Sequence, residues 1–190
     1  MAPLILVTGA ARSGKSEWAE AIAARSKQQV VYVATAQVDE TDREWQARIV
    51  RHQQRRPPEW TTLHVPNFLA ETIQQAQPEQ CLLIDSLGTW LANHLEAADE
   101  TWAETAHALL SALAHAPSSV ILVAEETGWG VVPAYPLGRT FRDRLGALTQ
   151  AIGAIANPVY LVAAGYAINL TQLGQRVNAS TLHSVIDELP

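Results

Sequence analysis

Five short apolar runs constrain the fold of this chain more than any other feature. Residues 3–8 (PLILVT), 29–35 (QVVYVAT), 81–85 (CLLID), 119–125 (SVILVAE) and 158–164 (PVYLVAA) are continuous stretches rich in Val, Ile and Leu. Runs of this kind are typical of parallel strands buried on both faces. Between them lie segments with helical spacing of apolar residues: 15–26, 44–56, 101–116 and 139–155. Alternation of this kind predicts a three-layer α/β fold around a mostly parallel sheet, in which ligand sites lie at the carboxyl ends of strands. A weaker run, 61–65, is expected at a sheet edge. With no linker, internal repeat or long run of like charge, residues 1–190 read as a single domain.

The first run ends in the motif that directs the functional reading. Gly9, Ala10, Ala11, Arg12, Ser13, Gly14, Lys15 and Ser16 match the P-loop spacing of glycine, four residues, then glycine, lysine and serine. Small residues let the main chain wrap closely around a polyphosphate, and the helix that follows points its positive end at the anion. Lys15 supplies a mobile charge for the outer phosphates and Ser16 a hydroxyl ligand for Mg2+. Because a strand precedes the motif and a helix follows it, a P-loop NTPase-like fold and binding of a nucleoside triphosphate are predicted.

A second element is expected at the end of another buried strand, where an acidic residue orients Mg2+. Asp85 closes the run CLLID and fits that role, the alternative being a cap on the next helix. Glu125 and Glu126 end a third run and are candidates for a second metal or ribose contact, or for a solvated loop face. Further along, Arg48, Arg51, His52, Arg55 and Arg56 lie on or just after one basic helix, with Arg48 and Arg55 about two turns apart on a shared face. Such a face is either solvated or built to hold phosphates beside a histidine that attacks one of them.

Composition narrows the classes. A formal charge of −6 argues against a general nucleic-acid binder. No apolar run reaches the length of a membrane span and no basic segment precedes the first apolar stretch, so a cytoplasmic chain is predicted. The single cysteine, Cys81, agrees with a reducing compartment and is expected to fill core space. His64, His94, His107, His115 and His183 show no metal-site spacing. Of six tryptophans, Trp18, Trp45 and Trp60 are read as cleft or core residues and Trp129 as exposed.

Six segments in order resemble one family. These are ILVTGAARSGKS, VVYVATA, ARIVRHQQRRPPEW, LLIDSLGTWLANHL, GWGVVP followed by GRTFRDRLGALTQAI, and VYLVAAG. Together they are similar, over about residues 4–170, to the bifunctional adenosylcobinamide kinase / adenosylcobinamide-phosphate guanylyltransferases of cobalamin biosynthesis. The resemblance implies phosphorylation of the aminopropanol hydroxyl of adenosylcobinamide from ATP or GTP. Transfer of GMP from GTP through a covalent histidine, to give adenosyl-GDP-cobinamide, is implied as the second step. By position that histidine is His52. The P-loop would cradle the triphosphate and Ser16 with Asp85 would hold Mg2+. Glu126 matches a family glutamate and is placed with the nucleotide-binding residues, while Arg48, Arg55 and Arg56 are inferred phosphate clamps. The resemblance also implies a homo-oligomer, specifically a trimer.

The chain departs from the family pattern at Ala10, Glu125, Ala134, Tyr135 and Thr149. Ala10 is expected to be tolerated if the backbone there needs no positive φ. The other four are expected to border the corrinoid substrate or a neighbouring subunit. Residues 171–190 match nothing. Two rival readings are a P-loop small-molecule kinase with no guanylyl step and a non-catalytic nucleotide-binding assembly protein.

Overall fold

The computed structural model describes residues 2–37 and 56–177. The chain runs β1 (Leu4–Gly9), α1 (Lys15–Arg25), β2 (Gln29–Ala34), β3 (Thr61–His64), α2 (Leu69–Gln74), β4 (Gln80–Asp85), α3 (Leu87–Asn93), α4 (Asp99–Ala114), β5 (Ser119–Glu125), α5 (Pro136–Ile155), β6 (Val159–Ala163), β7 (Tyr166–Asn169) and α6 (Leu170–Leu173). All five apolar runs form strands, and the weaker run forms the edge strand β3. The predicted helix over 44–56 falls outside the described residues except for Arg56, as do Trp45 and His183.

Seven strands make one sheet in the order β3-β2-β4-β5-β1-β6-β7. Every neighbouring pair is parallel except β6 and β7. Side chains alternate across the sheet, so the strands feed two separate cores. Leu4, Leu6, Val31, Val33, Leu82, Ile84, Val120 and Leu122 pack against α2 to α5 through Leu69, Ile73, Trp90, Leu109, Leu145 and Ile152. Val7, Val30, Tyr32, Cys81, Leu83, Ile121, Val123 and Val162 face the other way, against Ala19 and Ala23 of α1. Two alanines on its buried face let α1 lie close to the sheet, which brings the helix start over the end of β1. Cys81 is a buried thiol in that second core, and burial pushes its pKa up.

The sequence reading missed three short helices and one strand. α3 begins with a capping box in which the Ser86 and Thr89 side chains bond to each other's backbone N–H groups. β7 follows a two-residue turn, Ala164-Gly165, whose residues both have positive φ (50° and 79°). That is the twist-matched hairpin geometry, but the sequence signal is weak because alanine, not asparagine, holds the first left-handed position. α5 starts at Pro136, three residues before the predicted start, with proline in the first turn where its missing N–H costs nothing.

Candidate nucleotide site

The loop after β1 is shaped by close contact. A Cβ on Gly9 would collide with the Val162 carbonyl oxygen of β6 and stand 2.7 Å from Ser13 Oγ, so only glycine fits. Arg12 and Gly14 take positive φ (59° and 95°). Ala10 is not among the residues with positive φ, which explains why a side chain is accepted there. Ala11 and Arg12 are exposed, while Ser13 is buried and its hydroxyl has no hydrogen-bond partner among the described residues. Lys15 Nζ donates to the Ala10 carbonyl at 3.3 Å, so the lysine lies back across the loop that it follows. Ser16 is half-buried in the first turn of α1.

Asp85 lies on the same side of the sheet as α1. It is level with Val123 of β5, which is level with Val7 of β1. Two interstrand spacings, about 10 Å, therefore separate it from the P-loop strand. It shares the parity of Cys81 and Leu83, which face α1. The cap of the next helix is Ser86, not Asp85. The Asp85 carboxylate instead accepts a hydrogen bond at 3.0 Å from Tyr32 Oη, reaching diagonally from β2. Tyr32 is only 3% exposed. Burial first, and the Asp85 charge second, push its phenol pKa far above the ordinary range, so the hydroxyl stays protonated as donor. On the face of the same ring sits the Arg56 guanidinium, 3.1 Å from the centroid.

The Ser16 hydroxyl and the Asp85 carboxylate are hard oxygen donors, a chemistry suited to Mg2+ that keeps several waters and binds chiefly through phosphates. Among the described residues no cluster of three or more His, Cys, Asp or Glu is placed to hold a metal. The donor chemistry of these two residues, Ser16 and Asp85, fits the ion.

Glu125 and Glu126 take different partners despite being adjacent. Glu125 accepts from Ser86 Oγ–H and from the Gly88 N–H (2.9 Å), fastening the start of α3 to the end of β5. Glu126 accepts from Thr8 Oγ1 at 2.8 Å and its N–H donates to the Gly9 carbonyl at 2.9 Å, which places it against the P-loop on the opposite face of the sheet from Asp85. It opens onto a cleft of about 790 Å3 between α5, the strand ends and residues 170–177, with Thr149 in its wall. Beyond it, Trp129, Val131, Val132, Tyr135 and Leu137 are exposed.

The structure thus brings Gly9 to Ser16, Asp85, Arg56 and Glu126 to one carboxyl edge. Arg56 reaches it through stacking on Tyr32. Arg48, Arg55 and His52 lie outside the described residues. Sequence reasoning missed Tyr32 and Thr8. A phenol within an otherwise aliphatic strand (QVVYVA) was the available signal for the first, and Thr8 carried none.

A family model described as cobinamide kinase / cobinamide phosphate guanyltransferase matches residues 5–170. The chain is 44% identical over 162 residues to the bifunctional adenosylcobalamin biosynthesis protein CobP of Pseudomonas aeruginosa, covering 84% of this chain and 92% of that protein. It is 36% identical over 182 residues to the bifunctional adenosylcobalamin biosynthesis protein CobU of Escherichia coli, covering 88% and 99%. Among solved structures it is similar to a protein of Pyrococcus horikoshii, with TM-score 0.55, 9% identity and coverage of 94% of this chain and 89% of that one. An ATPase from the type III secretion system of pathogenic bacteria gives TM-score 0.51 at 10% identity, covering 97% and 61%. At such identities the likeness to the solved structures is one of fold.

Proposed function

The chain belongs to the cobinamide kinase / cobinamide phosphate guanyltransferase family, and on that premise we propose that it acts on adenosylcobinamide in two steps. In the first, the aminopropanol hydroxyl attacks the terminal phosphorus of ATP or GTP, the bond to the bridging oxygen breaks, and the hydroxyl proton leaves with the departing diphosphate. In the second, a His52 imidazole nitrogen attacks the α-phosphorus of GTP and pyrophosphate departs. The phosphate of adenosylcobinamide phosphate then attacks the same phosphorus, the P–N bond breaks, and adenosyl-GDP-cobinamide forms as the imidazole is freed.

The observation that carries this reading is the loop from Gly9 to Ser16, closed against Val162 at its start and left-handed at Gly14, with Asp85 two strands away on the same face. Backbone N–H groups from Gly9 to Gly14 hold the phosphates, Lys15 follows the transferred group, and Arg48, Arg55 and Arg56 clamp a nucleotide beside His52. Glu126, tied to Thr8, borders the nucleotide. Ser16 and Asp85 hold Mg2+, which when bound neutralises charge on the phosphate oxygens.

The protein is read as a cytoplasmic homo-oligomer, a trimer. The exposed apolar residues from Trp129 to Leu137 support assembly, and no helix among the described residues is long and apolar enough to cross a membrane. Sedimentation at working concentration tests the assembly, a monomer overturning it.

The chemistry is tested with GTP labelled at the α-phosphate, Mg2+, and wild type beside His52→Ala. Acid-labile label is expected on the wild-type chain alone, with kinase turnover kept by the variant. Absence of label from a wild type that binds GTP would leave a P-loop kinase without the guanylyl step.

A further inference from the structure

The hydroxyl of Tyr32 and the face of its ring are engaged by two different parts of the proposed site. The hydroxyl donates to Asp85 Oδ2 at 3.0 Å, while the ring carries the Arg56 guanidinium at 3.1 Å. Arg56 Nε is buried with no hydrogen-bond partner among the described residues, and the guanidinium it belongs to lies on the Tyr32 ring. A carboxylate at a strand end can rotate about its last bond. One donor fixed to Oδ2 from a neighbouring strand removes that freedom and leaves the other oxygen for a ligand. The donor is itself held, because Tyr32 sits in the α1-facing core among Val30, Cys81 and Leu83.

We propose that Tyr32 is a positioning residue: its hydroxyl orients Asp85 toward the divalent cation of the bound nucleotide, and its ring docks Arg56, the end of the basic segment that carries His52, beside that carboxylate. The inference rests on the reading of Asp85 as a Mg2+ contact. It goes beyond that reading by making one aromatic side chain the joint between the metal end of the site and the basic segment. Tyr32 is buried, with its hydroxyl spent on Asp85. It acts through Asp85.

The test separates the positioning role of the Tyr32 hydroxyl from the reading of Asp85. Affinity for the β,γ-imido analogue of GTP is measured calorimetrically with saturating Mg2+ and with EDTA, for wild type, Tyr32→Phe, Asp85→Asn and the double variant. The ratio of the two affinities reports the metal-dependent part of binding without turnover. Phenylalanine keeps the ring, the packing and the Arg56 contact, and thermal melting checks that the fold is kept. Tyr32→Phe is expected to lower the ratio roughly tenfold, the range in which an outer partner of a metal ligand acts, while the affinity in EDTA stays at the wild-type value. In the double variant the ratio is expected to equal that of Asp85→Asn alone, since the hydroxyl has no other route to the metal. A wild-type ratio for Tyr32→Phe beside a lowered one for Asp85→Asn overturns the positioning role and leaves Asp85 as read. Additive losses in the double variant also overturn it, because Tyr32 would then act elsewhere. An unchanged ratio for Asp85→Asn removes the reading of Asp85 and the inference with it.

Discussion

Two loops leave neighbouring strands at the same edge of the sheet, from residues level with each other, Gly9 and Glu125, and they are built in opposite ways. The loop after β1 closes in five residues, admits no Cβ at Gly9, takes left-handed turns at Arg12 and Gly14, and runs directly into α1. The segment after β5 takes ten residues to reach α5, exposes Trp129, Val131 and Tyr135, and has open space around Gly128 and Gly130. Holding a small, highly charged group needs a rigid backbone with little room. Meeting a large, partly apolar surface needs reach and exposed side chains.

The sharpest break of this contrast is Lys15→Ala, which removes the cation that follows the first loop and lies back across it. Phosphoryl transfer is expected to fall by about 10²–10³-fold with the melting temperature kept, measured by steady-state kinetics and thermal denaturation. Gly9→Ala comes next. Its methyl meets a backbone carbonyl that cannot swing aside, so a stability loss of about 1–3 kcal/mol is expected by chemical denaturation, together with weaker nucleotide binding. Glu125→Gln is smaller: the amide oxygen keeps one acceptor for Ser86 or Gly88 but loses the charge at the start of α3, for about 1 kcal/mol in the same assay. Gly130→Ala sits at the bottom, within about 0.5 kcal/mol of wild type, because among the described residues nothing beyond its chain neighbours lies within 4 Å of the added carbon. Equal losses for Gly9→Ala and Gly130→Ala would erase the distinction between the loops.

Much of this was legible in residue order because it depends on local chemistry. Continuous apolar runs predict strands buried on both faces, and Gly9, Gly14, Lys15 and Ser16 are spaced by the demands of a phosphate rather than by the rest of the fold. Asp85 was visible for the same reason, as a charge that ends an apolar run. The β6–β7 hairpin was not, since Ala164 gives little sign of the left-handed turn it makes. Nor was the division between the two glutamates, for adjacent residues at a strand end look alike until their partners, Ser86 and Gly88 for one and Thr8 for the other, are brought up from distant parts of the chain.

The sequence by itself determined the layered α/β class, the phosphate-binding loop and the family. What only the tertiary structure decided is which partners the carboxylates take and that Tyr32 stands between Asp85 and Arg56. The physical reason is separation along the chain. A P-loop is made by eight consecutive residues, whereas the Tyr32–Asp85 bond joins residues 53 apart, and that meeting is set by the pairing of β2 with β4 and the face of the sheet that each side chain takes.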